Sequence, residues 1–289
     1  MRISFYKTLW GHEGTLSEAI ELAALAGFDG IEGPPPTSTE AQTDFRMRLD
    51  GHGFGYIAEA TTGGNYVPDH RRSPASHLDD LRRAVDRAMP LSPLFVNTQA
   101  GLDAWPLPTQ IAFHESIVAL QNEIGVKITV ETHRSRSTFN PWTTLAIARE
   151  VPGLQLNLDF SHWCAVAERL VMDDDPELLA FFATRCGHMH ARVGYDQGPQ
   201  VPHPAAPEHE HNVAAHVRWW QALVDHAKGE GRDVFTITPE FGPDGYLQCA
   251  PFTAEPVADL WEVNRWMKDH LAGILKKSNI TTLKGITPA

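Results

Sequence analysis

The sequence predicts a single (β/α)8 barrel on three observations. Short β-like runs alternate with amphipathic helical stretches from end to end, eight such runs can be counted, and no glycine-rich phosphate loop follows the first. Alternation of this kind demands parallel strands joined by helical crossovers, and eight units fit a chain of 289 residues without an added domain. The competing arrangement, a doubly wound open sheet, usually carries G-x-G-x-x-G after its first strand. Here that place reads Lys7-Thr8-Leu9-Trp10-Gly11. The barrel is expected over 1–275, with 276–289, poor in apolar periodicity, as a C-terminal tail.

Strands are expected near 2–6, 29–33, 55–60, 93–98, 126–131, 154–159, 186–190 and 233–239, with about eight helices between them. Thr15-Leu16-Ser17-Glu18 has the capping-box pattern, in which the two ends satisfy each other's free backbone N–H groups. It opens an Ala/Leu-rich helix that Gly27 is placed to stop. Helices follow from Ser76 to Met89 and from about Thr109 to Ile124. Val213, Val217, Trp220 and Val224 recur at helical spacing, as do Val257, Leu260, Trp261, Met267 and Leu271. The Pro- and Gly-rich segment from Tyr195 to Glu210 is expected as a long loop over the C-terminal mouth.

Composition narrows the function classes. A net charge of −12 offers no basic groove for a polyanion, which argues against nucleic acid. No apolar run approaches membrane-spanning length, and the N-terminus lacks the apolar core of a signal peptide. Cys164, Cys186 and Cys249 are few and widely spaced, as expected in a reducing compartment, so the cytoplasm is the expected location. Most of the 15 histidines need no functional account; His77, His216, His226 and His270 read as surface or helix-flank residues.

Four motifs carry chemistry: Val-Glu-Thr-His at 130–133, Asp-Phe-Ser-His at 159–162, His-Met-His at 188–190 and Pro-Glu-Phe at 239–241. Each follows an apolar or β-branched run, so Glu131, Asp159, His190 and Glu240 would converge where the strands of such a barrel present catalytic groups. Three carboxylates and one imidazole make a hard, oxygen-rich site for one divalent metal ion, with Mn²⁺ first and Mg²⁺, Co²⁺ or Zn²⁺ as alternatives. Singly, each residue has a plainer reading: Glu131 as an ion pair with Arg134 or Arg136, Asp159 as a helix cap. Period 2 puts His188 on the strand face of His190.

These motifs resemble the xylose isomerase-like TIM-barrel superfamily, which includes ketose 3-epimerases, inosose-type isomerases and dehydratases, and endonuclease IV enzymes. The resemblance runs over nearly the whole chain and is specific from the fifth strand on. It implies that Glu131, Asp159, His190 and Glu240 bind the metal, that His162 and His188 contact substrate, and that Glu131 and Glu240 also move protons. The implied function is a divalent-metal-dependent sugar isomerase or epimerase working by proton abstraction next to a carbonyl through an enediolate. The partner is then a carbohydrate or keto-sugar. The epimerases' substrate-contacting Arg has no counterpart at its usual distance, where Asp196 stands; the nearest is Arg192. Arg192, Glu32, Asn97 and Gln99 are expected to line the pocket, with Trp10, Trp105, Trp142 and Trp163 in loops on the same side. The strand ends after Ile31, Ala58 and Asn97 lack the histidines of the multi-zinc nucleases. Two other readings stand: a lyase or dehydratase that eliminates from a keto-glycoside, including C-glycoside cleavage, and a non-catalytic sugar-binding subunit. A homo-oligomer is left open.

Overall fold

Polar and apolar residues alternate along the strands, and that alternation sets the architecture. In the computed structural model, which describes residues 1–243 and 245–275, eight parallel strands close into a barrel in sequence order. They are β1 (Arg2–Thr8), β2 (Gly30–Gly33), β3 (Gly55–Thr61), β4 (Phe95–Gln99), β5 (Ile128–Glu131), β6 (Gln155–Leu158), β7 (Cys186–His190) and β8 (Val234–Thr238). The expected tail over 276–289 lies outside the described residues.

Ile31, Val96, Val130, Leu156, Met189 and Ile237 are buried in the layer between barrel and helices. Each is worth roughly 1.5–3 kcal/mol of burial. Their neighbours Glu32, Asn97, Glu131, Asn157, His190 and Thr238 take the opposite face, as a pleated strand requires, and fill the interior. Only the floor of the barrel is apolar, closed by Tyr6, Ile57 and Phe95. The barrel is thus a polar cup on an apolar base.

The outer ring holds α1 (Leu16–Leu25), α2 (Thr39–His52), α3 (Pro74–Ala88), α4 (Leu107–Ile124), α5 (Pro141–Glu150), α6 (Phe160–Ala167), α7 (Pro176–Ala183), α8 (Glu210–Gly229) and α9 (Leu260–Leu275). Among the described residues there are nine, because α6 stops at Glu168 in a left-handed conformation (φ 52°) and the crossover resumes as α7. The Thr15–Glu18 capping box forms, and Gly27 takes φ 71° just past α1. Val257 falls before α9 and is exposed. No helix among the described residues is long and apolar enough to cross a membrane.

Two expectations are corrected. His77 and His216 are not surface residues: both are fully buried. His216 accepts the Gly194 N–H at Nε2 (3.2 Å) and faces the Asn212 carbonyl through Nδ1 (2.9 Å), so each ring nitrogen is committed. No residue of the segment from Tyr195 to Glu210, expected over the mouth, lines the chamber there. Gln200 is paired both ways with the backbone of Gly242, and Val201 bonds Val193, which docks the segment against the loop after β8.

Candidate metal centre

Glu131 ends β5, Asp159 follows β6, His190 ends β7 and Glu240 lies two residues beyond β8. Their ligand atoms all lie within 4.8 Å of one another, and all four residues are buried. Strand register brings them to one height: Glu131 pairs with Asn157, and His190 with Thr238, each partner two residues before the neighbouring acid.

Glu131 and His190 are each held by one atom and leave the other without a hydrogen bond, whereas both oxygens of Asp159 are engaged. Glu131 Oε2 accepts from the amide of Gln99 (3.3 Å) and more distantly from that of Asn97 (3.5 Å), while Oε1 is buried with no hydrogen-bond partner. Asp159 Oδ1 caps α6, accepting from the N–H and hydroxyl of Ser161, and Oδ2 faces Arg192 at 2.5 Å. The capping role foreseen as the plain alternative is therefore real; it uses one oxygen, and Arg192 pairs with the other. His190 Nε2 meets Glu32 Oε1 at 3.0 Å. Its Nδ1 lies 3.0 Å from Glu240 Oε2 and 3.8 Å from Glu131 Oε1, yet has no hydrogen bond of acceptable geometry.

The electrostatics of the site call for positive charge. Burial disfavours a charged His190, but Glu240, Glu32 and Glu131 outweigh it and hold the imidazole well above its ordinary pKa. Burial raises Glu240 to about 7, helped by the Glu131 charge and opposed by His190. Burial also works on Glu131, but His190, His133 and Arg192 overcome it and bring that carboxyl to about 2. Two orphaned buried atoms, Glu131 Oε1 and His190 Nδ1, directed into a nest of carboxylates are what a divalent ion would satisfy. The residues present therefore fit a metal.

Of the expected substrate contacts, Gln99 and Arg192 border a chamber that Glu240 also lines. Arg192 is largely committed there: it donates to Asp159 Oδ2, Ser161 Oγ and the Glu240 carbonyl, and it lies 2.7 Å from His162 Nε2. His162 is fully buried beside it, kept neutral by burial and by the nearby His133 and Arg192 charges. Glu32, Asn97 and His188 are placed a layer lower. His188 sits one pleat repeat below His190, contacting Thr236, Thr238 and Glu32, and Asn97 donates to Glu32. Of the four tryptophans, only Trp10 reaches the chamber; Trp105 packs on His77 and Phe113, Trp163 is buried in α6, and Trp142 is exposed.

The sequence reading missed Thr61 and four chamber residues with polar or aromatic side chains of more consequence. Glu59 of β3 shares the inward face of Ile57, and its carboxyl is pushed well above the usual range by burial and by the charges of Glu240, Glu32 and Glu131. Period 2 along Gly55–Thr61 carried that signal. His133 is buried, with its ring 4.0 Å from that of His162. Tyr66 and Tyr246, from the loops after β3 and β8, join their hydroxyls across the mouth. Trp10 meets Tyr246 edge-on at 4.8 Å, and Gly242 permits this, since a Cβ there would collide with the indole. The chamber encloses about 190 Å³, and a groove of about 560 Å³ adjoins it, sharing Trp10, Glu59 and Thr61 as walls.

The same fold is seen in L-ribulose 3-epimerase (12% identity, TM-score 0.66, covering 98% of this chain and 99% of that one). It recurs in a xylose isomerase-like TIM barrel protein from Mycobacterium smegmatis in complex with magnesium (13% identity, TM-score 0.65, covering 96% and 98%). Endonuclease IV from Thermus thermophilus also shares it (15% identity, TM-score 0.60, covering 96% and 100%), so the fold by itself does not decide between sugar and nucleic acid. No curated protein matches the sequence. The family described as xylose isomerase-like TIM barrel matches residues 20–259, and the chain belongs to it.

Proposed function

We propose that this protein is a divalent-metal-dependent enzyme that moves a proton next to the carbonyl of a sugar-like substrate, as an isomerase or epimerase. The observation that carries the reading is the pair of buried atoms without a hydrogen bond, Glu131 Oε1 and His190 Nδ1, set with Asp159 and with Glu240, which lines an open chamber. When bound there, the ion supplies Lewis acidity to a carbonyl oxygen and the hydroxyl beside it.

The chain's own residues do the rest. Glu131 and Glu240 flank His190, and one takes the proton while the other returns it. Return to the same carbon from the other face gives epimerisation; return to the neighbouring carbon gives aldose–ketose isomerisation. Gln99 fixes the outer oxygen of Glu131, and Arg192 ties Asp159 to the backbone of Glu240, so the acids are held before substrate arrives. Tyr66, Tyr246 and Trp10 restrict water at the mouth. A second reading, elimination from a keto-glycoside, is favoured by the groove, which gives a leaving group somewhere to lie. The acidic balance argues for a neutral sugar over nucleic acid.

Elemental analysis before and after chelation, with solvent deuterium exchange into a panel of keto-sugars on both samples, tests the reading. One equivalent of metal and exchange that vanishes on chelation and returns with Mn²⁺ is the expected result. Exchange indifferent to chelation, or a protein that retains no metal, would sink it. The carbon that exchanges separates epimerase, isomerase and lyase.

A further inference from the structure

Period 2 along β1 gives Phe5 and Lys7 the outer face of the barrel, in the layer between strands and helices. Lys7 stands beside Ile31 in the strand register, so it takes a place that the neighbouring strand gives to a buried aliphatic residue. It is 6% exposed. An ammonium has three donors. One goes to the Thr8 carbonyl at 3.0 Å, and the nitrogen lies 5.4 Å from the centre of the Trp261 ring. No carboxylate pairs with it among the described residues. Burial, with no acid to oppose it, brings Lys7 down to about 8, which still leaves it charged at neutral pH.

Lys7 lines a cavity of about 50 Å³ together with Thr8, Gly11, His12, Trp261 and Asn264. No acid lines this cavity, although the chain holds 36 acids against 24 lysines and arginines. Asn264 is already spent: its amide donates to the Phe241 and Leu260 carbonyls, and its oxygen accepts from the Phe241 N–H. His12 is close enough for the Lys7 charge to add to burial in lowering its pKa. The Gly11 N–H has no hydrogen bond among the described residues, and Gly11 is exposed, which gives the cavity a way out to solvent.

A buried charge without a counter-charge is costly, and the described residues supply none here. The volume limits what could. It exceeds the roughly 10–15 Å³ that one water needs, and it falls far short of the roughly 300–1,000 Å³ of sites for organic ligands. Water would satisfy the remaining donors of Lys7 but would not cancel its charge.

We propose that this cavity is a binding site for a small monovalent anion, with chloride as the ion expected, held by the Lys7 ammonium between β1, α1, α9 and the segment after β8. The site lies outside the barrel and does not depend on the reading of the metal centre. The anion cancels the buried charge, so its binding stabilises the folded chain by mass action.

The test follows thermal unfolding of the full chain, dialysed free of halide, as sodium chloride replaces sodium gluconate at constant ionic strength. It also locates bromide by anomalous scattering in crystals grown with sodium bromide. The wild-type midpoint is expected to rise by a few degrees and to level off as chloride increases, and a bromide peak is expected against Lys7 Nζ. Lys7→Met keeps most of the side chain's length and removes its charge, so it should show neither the rise nor the peak. If that variant does not fold, the wild-type series and the wild-type peak decide by themselves. A midpoint indifferent to the exchange of anions, a rise that persists in Lys7→Met, or bromide found only at exposed residues would overturn the site. A peak at Lys7 without stabilisation would mean an adventitious ion only, and would overturn it as well.

Discussion

The two halves of the barrel share one backbone plan and put different chemistry at their C-terminal ends. β5 to β8 deliver Glu131, Asp159, His190 and Glu240, whose inward atoms converge within 4.8 Å. β2 to β4 deliver Glu32, Glu59, Asn97 and Gln99, which form no such cluster among themselves, although Glu32 groups with His188 and His190 of β7. Gln99 and Asn97 take the outer oxygen of Glu131, and Glu32 takes the far nitrogen of His190. One half gathers the proposed ligands and the other holds them in place, while also lining the groove. The difference teaches that the proposed metal centre leans on both halves, with its four proposed ligands on one and the groups that hold them on the other.

The comparison breaks most visibly if a carboxylate in the ligand half is neutralised. Glu131→Gln or Glu240→Gln should lower substrate deuterium exchange by roughly 10²–10⁴-fold, the usual scale of a lost acid–base group. Full turnover in either variant would remove that residue as a proton carrier.

Acid stability should treat the halves alike, because each has a buried neutral histidine in its outer ring: His114 on α4 and His216 on α8, both pulled down to about 4 by burial. The folded pKa lies below the unfolded value of about 6.5, so the unfolded chain takes up the proton first. Stability is whole above that value and drains as pH falls towards 4, by on the order of 3 kcal/mol per histidine at about 1.4 kcal/mol per pKa unit. Urea unfolding between pH 7 and 4 measures the loss. His114→Gln or His216→Gln should flatten the slope, and an unaltered slope would refute the assignment.

Smaller effects sharpen the contrast. Glu32→Gln leaves the four proposed ligands in place but weakens the acceptor behind His190; metal affinity should fall roughly 10–100-fold, as for other residues that orient a ligand, and competition with a fluorescent chelator reads it. Gln99→Leu removes one neutral hydrogen bond from Glu131, worth about 1 kcal/mol, so a several-fold loss of metal affinity is expected. A Gln99 effect larger than that of Glu32 would reverse the ranking drawn here.

The barrel and the four converging residues were legible in the sequence for a local reason. Each of Glu131, Asp159, His190 and Glu240 ends or closely follows an apolar run, and a closed parallel barrel places strand ends together. Glu59 was legible only through the period-2 alternation along Gly55–Thr61, which gives it the inward face, since no metal-ligand motif surrounds it. Tyr66 and Tyr246 could not be found that way: their meeting depends on loops 180 residues apart in the chain. His77 and His216 read as surface residues because their helices are polar in sequence, yet both rings are buried, beside Thr62 and Gly194 respectively.

What the sequence determined by itself is the order of strands and helices, the phase of each strand and the four residues brought to one height, because hydrophobic periodicity is a property of neighbours along the chain. What tertiary structure alone decided is which atoms of Glu131 and His190 are left without a hydrogen bond, where the aromatic roof closes, and that the chamber and the groove share Glu59 in their linings. Those depend on distances between segments far apart in sequence, set by packing, which no local pattern encodes.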